Sequence, residues 1–149
     1  YYDMAATVAK YPRVHVTFNL TPTLIRQLDD LAKGAKDKYW VLAEKPADQL
    51  TEKDKTFILR HFFDANWDHV IGRFPQYKAL LDKRGRDTTE ATINKALKTF
   101  TTQDYRDLQV WFNLAWMDPD ILAQEPFKSM TKKEHFTEAD KAPIFAEHL

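Results

Sequence analysis

The pattern of apolar and polar positions predicts a mainly helical chain. Apolar residues recur every three or four positions over most of the sequence, which is the spacing that places them on one face of an α-helix. The segment from Gln103 to Met117 is the most apolar and has apolar side chains on nearly all sides, so we expect it to be the central buried helix. Only three glycines occur, which disfavours strand-rich folds and glycine-rich phosphate loops.

Capping signals predict where several helices begin. Thr21 precedes a proline at the first helical position, and the helix that it opens should stop at Gly34. Three later threonines are each followed by an aspartate three residues on, an arrangement that resembles a capping box with Asp in place of the usual Glu. These pairs are Thr51 with Asp54, Thr101 with Asp104, and Thr137 with Asp140.

One segment predicts a β-strand. Residues 13–18 alternate polar and apolar side chains and are rich in β-branched residues. No second strand is predicted in the chain, and a lone strand leaves its backbone hydrogen-bonding groups unpaired. The strand therefore needs a partner in additional sequence or in another chain. The helical spacing of apolar residues already begins at Tyr2, and no initiator Met is present. We therefore expect residues 1–149 to be a single helical unit excised from a larger protein.

Composition and charge exclude several classes of protein. Lys and Arg total 22 and Asp and Glu total 22, which removes the electrostatic argument for binding nucleic acid or an anionic membrane. Without cysteine there is neither a disulfide framework nor a thiolate metal site. No apolar run approaches the ~20 residues that cross a bilayer, and no signal peptide is recognisable. We therefore expect a cytoplasmic protein that contacts neither nucleic acid nor membrane and, lacking a nucleotide-binding glycine pattern, uses no cofactor.

A metal site is the weaker interpretation of the one histidine-rich run. On a continuous helix His61, Asp64 and Asp68 would share a face, and their side chains are of metal-ligand types. Their spacing matches no established zinc pattern, and such mixtures are common on half-buried helices, so no metal is expected. The histidines outside this run are isolated: His15, His135 and His148.

The aromatic residues allow two interpretations. Trp and Tyr side chains fill protein cores, but they also stack on the apolar C–H faces of sugar rings. Trp116 ends the predicted buried helix, where a helix terminus can face a cleft, and Asn19 follows the predicted strand directly. A turn-forming role explains Asn19 equally well. The candidate substrate-lining residues are Asn19 and Trp116, followed by Trp40.

Four stretches resemble the family 57 glycoside hydrolases, the α-amylase and amylopullulanase-like group. The longest are VHVTFNLTPTLIRQL at residues 14–28 and DLQVWFNLAWMDP at residues 107–119. The stretches FILRHFF at residues 57–63 and FTEADK at residues 136–141 are also similar to the family, in the same order. The resemblance thus covers nearly the whole chain.

The resemblance implies a retaining enzyme that acts on an α-glucan or maltooligosaccharide. The family's fold is an irregular (β/α)7 barrel with helical insertions, and this chain would supply one short strand and a helical region of that catalytic domain. The motifs that carry the family's glutamate nucleophile and aspartate acid/base are absent from this sequence, so no catalytic residue is assigned and the chain should be inactive alone. The alternative is a stand-alone helical interaction module that self-associates through its apolar faces.

Overall fold

The computed structural model describes residues 2–147 and divides the chain into two compact units. The first unit ends at Ala35 and the second begins at Lys36. His148 lies outside the described residues.

The first unit contains two helices, α1 (Tyr2–Ala9) and α2 (Pro22–Ala32). The Thr21 hydroxyl accepts a hydrogen bond from the Leu24 N–H at 3.3 Å, so it caps α2 as predicted. Gly34 follows with φ of +92°, a left-handed conformation that suits a residue without Cβ at a helix end. None of the α2 side chains is buried.

The predicted strand at residues 13–18 is wrong. The described part of the chain contains helices and no strand, so the expectation of one strand from a (β/α)7 barrel is corrected to an all-helical structure. Within that part, residues 15–20 make no backbone hydrogen bond. The physical reason is that a strand needs a neighbouring strand to complete its ladder, whereas alternation of side chains describes only one half of that pairing.

The second unit is built from eight α-helices and three short 3₁₀ turns within residues 36–147. The α-helices are α3 (Lys38–Glu44), α4 (Glu52–His61), α5 (Pro75–Arg84), α6 (Glu90–Thr99), α7 (Thr102–Trp116), α8 (Pro119–Leu122), α9 (Phe127–Met130) and α10 (Lys141–Glu147). The 3₁₀ turns are Ala47–Gln49, Ile71–Arg73 and Glu138–Asp140.

The three predicted capping boxes are confirmed. At α4 the Thr51 hydroxyl accepts from the Asp54 N–H at 3.3 Å, and the Asp54 carboxylate accepts from the Thr51 N–H at 3.0 Å. Thr101 and Asp104 repeat the exchange at α7. The third box opens the 3₁₀ turn Glu138–Asp140, which leads directly into α10. Helix α10 begins at Lys141, and Pro143 lies in its first turn.

Helix α7 is the centre of the second unit, as the sequence predicts. It packs against α3, α4, α5 and α10. Its Leu108, Val110, Trp111 and Leu114 side chains are fully buried. Burial on all sides explains why the apolar positions of this segment surround the helix instead of forming one stripe.

A buried polar cluster joins α7 to the end of α3 and to α10. The Gln109 side-chain amide donates to the carbonyl oxygens of Leu42 (2.6 Å) and Lys45 (2.9 Å). The Lys141 ammonium donates to the Gln109 Oε1 at 2.8 Å and pairs with Glu138 at 2.8 Å. These partners satisfy groups that would be costly to bury alone.

None of the helices in residues 2–147 combines the length and apolar character that crossing a bilayer requires.

Candidate functional site

The second unit contains a cavity of about 400 Å³ whose wall is mostly aromatic. We call it the aromatic pocket. Its lining residues are Asp37, Tyr39, Trp40, Asp64, Phe112, Asn113 and Trp116. Its volume lies within the usual range for small-molecule sites.

The start of α3 forms one wall of the aromatic pocket. Asp37 is the N-cap of this helix, and its Oδ1 accepts a hydrogen bond from the Trp40 N–H at 2.7 Å. Capping fixes the first helical turn, which carries Tyr39 and Trp40. One carboxylate therefore both begins the helix and lines the pocket.

The last turns of α7 form another part of the wall. Phe112 and Trp116 are four residues apart and so lie on the same face of this helix. The Asn113 side-chain Nδ2 donates to the Gln109 carbonyl oxygen at 2.8 Å, which leaves its Oδ1 as an acceptor. Trp116 is 61% exposed, so its ring is open to solvent at the edge of the pocket.

Stacked rings connect the pocket wall to the core. Tyr39 stacks on Phe62, with ring centroids 5.9 Å apart and 14° between the planes, and on Phe112 at 5.7 Å and 18°. Phe62 and Phe112 stack on each other at 4.4 Å. Because Phe62 is fully buried, this stack ties the pocket wall to the core.

The charged groups of the aromatic pocket are carboxylates. Asp37 and Asp64 line it, and none of its described lining residues is a lysine, arginine or histidine. Asp64 pairs with His61 outside the lining, at 3.1 Å between Oδ2 and Nδ1. The pKa of the Tyr39 hydroxyl is raised by burial and by the charges of Asp64 and Asp37. The charged side chains that line the pocket are therefore all acidic.

The structure brings together two of the three substrate-lining residues predicted from sequence. Trp116 and Trp40 line the same pocket. Asn19 lies in the first unit, in no regular element, and its side chain is exposed. Asp64, considered from sequence only as a metal ligand, and Phe112 were not predictable as pocket residues, because they are remote in sequence from Trp40 and only the packing of α4 and α7 brings them near it. Asp37 had a local signal, since an aspartate three residues before Trp40 is a capping position.

The metal interpretation loses its geometric basis. Helix α4 ends at His61, so His61, Asp64 and Asp68 do not share one continuous helical face. Among the described residues no group of three His, Cys, Asp or Glu side chains is arranged to hold a metal ion.

His135 is not isolated, in contrast to the sequence interpretation. Its Nδ1 lies 2.8 Å from the Oδ2 of Asp107, a buried carboxylate that also accepts from Gln103 and from the Phe136 N–H. The hydrogen bond to Asp107 and the charge of that carboxylate raise the pKa of His135. Both residues line a second, smaller cavity of about 310 Å³. The pair holds residues 135 and 136 against α7.

Comparisons of the chain with protein-family models, with curated proteins and with solved structures find no match.

Proposed function

We propose that this chain contributes a saccharide-binding pocket to an α-glucan-active glycoside hydrolase of the α-amylase or amylopullulanase type. The observation that carries the proposal is the aromatic pocket, in which Trp40 and Trp116 lie together with two carboxylates and an amide. The chain supplies binding in this proposal, and the catalytic nucleophile and acid/base come from elsewhere.

The chemistry of the pocket suits a sugar. Aromatic planes stack on the C–H faces of a pyranose ring, and Trp116 offers an exposed plane at the pocket edge. The carboxylates of Asp37 and Asp64 accept hydrogen bonds from sugar hydroxyls, and Asn113 adds a further acceptor. An apolar surface with a few fixed polar groups is the usual composition of a ligand site.

The family resemblance includes one wall of the aromatic pocket. The stretch at residues 107–119 that resembles family 57 glycoside hydrolases contains Phe112, Asn113 and Trp116, which form the α7 wall of the pocket. A retaining mechanism needs two carboxyl groups about 5 to 5.5 Å apart with separate roles. Asp37 already serves as the N-cap of α3, so we assign the pocket carboxylates to binding. We expect no glucan hydrolysis by this chain alone.

Titration with maltooligosaccharides tests this proposal. We expect saturable binding of maltohexaose by calorimetry, with a change in tryptophan fluorescence, and weaker binding of the β-linked cello-oligosaccharide of equal length. Replacing Trp116 with Ala should weaken maltohexaose binding by roughly tenfold or more, because a stacking plane is lost. Trp116→Phe is the matched control and should retain most of the affinity. Absence of binding, or equal affinities for the wild type and Trp116→Ala, would contradict the proposal.

A second candidate function is the interaction module, and a separate observation favours it. The first unit exposes a series of large apolar side chains that a folded chain normally covers. They are Val14, Val16, Phe18, Leu20, Ile25, Leu28 and Leu31. The first four alternate along residues 14–20, of which residues 15–20 make no backbone hydrogen bond, and the others share the apolar face of α2. Both features fit a surface that another protein segment covers.

A further inference from the structure

We infer that the aromatic pocket binds small organic cations that carry a methylated or quaternary ammonium group. This inference goes beyond the proposed function, because a glucan is uncharged. It rests on three properties of the pocket, namely its ring faces, its carboxylates and its lack of an internal cation.

The ring faces are the first property. Tyr39, Trp40, Phe112 and Trp116 line one cavity, and Trp116 is 61% exposed. An aromatic ring has a negative face that attracts a cation, and several rings around one space form the kind of cage that recognises quaternary ammonium groups.

Two lysines that do not line the pocket already place their ammonium groups near aromatic rings of this region. The Lys36 Nζ lies 5.7 Å from the centroid of the Trp40 ring, and the Lys38 Nζ lies 3.8 Å from that of Phe57. Phe57 packs edge-on against Tyr39 at 5.3 Å. Trp40 in the pocket wall and Phe57 beside Tyr39 therefore each have an ammonium group near the ring, while no lysine lines the pocket itself.

The carboxylates are the second property, and their lack of cationic partners in the lining is the third. Among the described residues Asp37 makes no salt bridge, and its Oδ1 is occupied only by the Trp40 N–H. Asp64 pairs with His61 and its charge also acts on Arg84, but neither of these residues lines the pocket, and the Asp64 side chain is 59% exposed. A cation in the cavity would complement both negative charges, which lysine or arginine neutralises at other carboxylates of this unit.

Methylation is the feature that matches the ligand to the wall. A primary ammonium holds its water strongly and needs hydrogen-bond acceptors on every side, whereas a methylated ammonium spreads its charge over an apolar surface. The aromatic wall offers apolar contact and few acceptors. A trimethylammonium group therefore suits this pocket better than a lysine-like amine.

The experiment compares two ligands of the same shape and different charge. Choline is titrated against its neutral carbon isostere, in which a tert-butyl group replaces the trimethylammonium group, with tryptophan fluorescence and calorimetry as readouts. We expect choline to bind saturably and roughly tenfold or more tightly than the isostere, since only the cation gains from ring faces and carboxylates. No saturable binding, or equal affinity for the two ligands, overturns the inference.

Charge-removing variants locate the cation. Asp37→Asn keeps a good N-cap residue while removing the charge, and Asp64→Asn changes no volume, so each should weaken choline binding several-fold without unfolding the protein. Asp82→Asn is the control, because Asp82 lies on α5 and does not line the pocket. Equal choline affinity in the wild type, Asp37→Asn and Asp64→Asn overturns the inference.

The binding experiments distinguish failure of the cation inference from failure of the proposed saccharide function. Maltohexaose binding without choline binding contradicts the cation inference alone, and choline binding without maltohexaose binding contradicts the proposed function alone. If both ligands bind, choline should compete with maltohexaose, because one cavity holds both.

Discussion

Lys141 is a charged side chain that is almost completely buried. It is 4% exposed, and its ammonium donates to the Lys45 carbonyl oxygen at 2.9 Å and to Gln109 Oε1 at 2.8 Å, and pairs with Glu138 at 2.8 Å. Burial lowers its pKa, although the neighbouring Glu138 opposes that shift. Three acceptors from three parts of the second unit therefore depend on one ammonium group.

Replacing Lys141 with Met should destabilise the second unit. Methionine fills a similar volume but donates no hydrogen bond, so Gln109 Oε1 and the Glu138 carboxylate would lose a donor inside the protein. Removing one partner of a buried charged cluster typically costs about 3 kcal/mol. Urea denaturation followed by circular dichroism measures the free energy of unfolding.

Lys132→Met is the control for this change, because Lys132 is exposed and should tolerate it within about 0.5 kcal/mol. Similar stability losses in the two variants would show that the buried cluster around Lys141 contributes nothing specific.

Single residues of the aromatic pocket were predictable to different degrees. Trp116 could be placed at a cleft because it ends a buried helix, and the structure shows it exposed there. Asp64 could not, since its position follows from the loop after α4 and from how that loop packs near α3. Trp111, of the same residue type as Trp116, is fully buried, so residue type alone does not identify a pocket residue.

At the scale of elements, the aspartates of the capping boxes also reach lysines of other segments. Asp54 pairs with Lys45 and Asp104 with Lys83, each at 2.7 Å. The hydrogen bond from Lys45 is the main cause that lowers the pKa of Asp54, with Thr51 adding to it. For Asp104, burial acts in the opposite direction and the bonds from Lys83 and Thr101 outweigh it. Each box therefore stabilises a helix start and attaches it to a neighbouring segment.

The lowered pKa of Asp54 predicts how this contribution depends on pH. The folded-state pKa lies below the ordinary value of 3.8, so the stabilisation is fully present above that value and is lost as the pH falls through the folded-state pKa. At neutral pH Asp54→Ala should lower the free energy of unfolding by about 1 kcal/mol, as expected for a lost cap. In acid well below pH 3.8 the variant and the wild type should converge.

Urea titrations of both proteins at neutral and acid pH measure this difference. Asp68→Ala serves as the control, because Asp68 is exposed and lies outside the helices. A stability difference between Asp54→Ala and the wild type that is the same at both pH values would contradict the assignment to the ionised carboxylate.

Helices were predictable from sequence and the strand was not, because helix signals are local whereas a strand depends on residues distant in sequence. A capping box at Thr51 or Thr101 involves residues three apart, so the sequence contains the whole interaction. A strand at residues 13–18 depends on a partner strand that the described chain does not contain. The apolar alternation at Val14, Val16 and Phe18 is real, but it describes a surface for contact and not the contact itself.

At the scale of the whole molecule, the two units bury their apolar residues very differently. The second unit has a core of fully buried side chains around α7. The first unit contributes no residue to that set, and α2 buries none of its side chains. Covering the apolar face of α2 with another segment would therefore be energetically favourable.

We predict that the 149-residue chain self-associates through its first unit. Exposed apolar side chains on α2 and at residues 14–20 favour contact between copies, because association removes this apolar surface from water. Light scattering coupled to size exclusion should give a mass above the 17.5 kDa of one chain, rising with concentration. Replacing Leu28 and Leu31 with Gln should return the mass toward that of a monomer, whereas Gln at the exposed Val41 of α3, in the second unit, should not. A monomer at every concentration would contradict self-association and would leave the interaction module without support. The saccharide proposal would be unaffected, because the aromatic pocket lies in the second unit alone and has its own binding experiment.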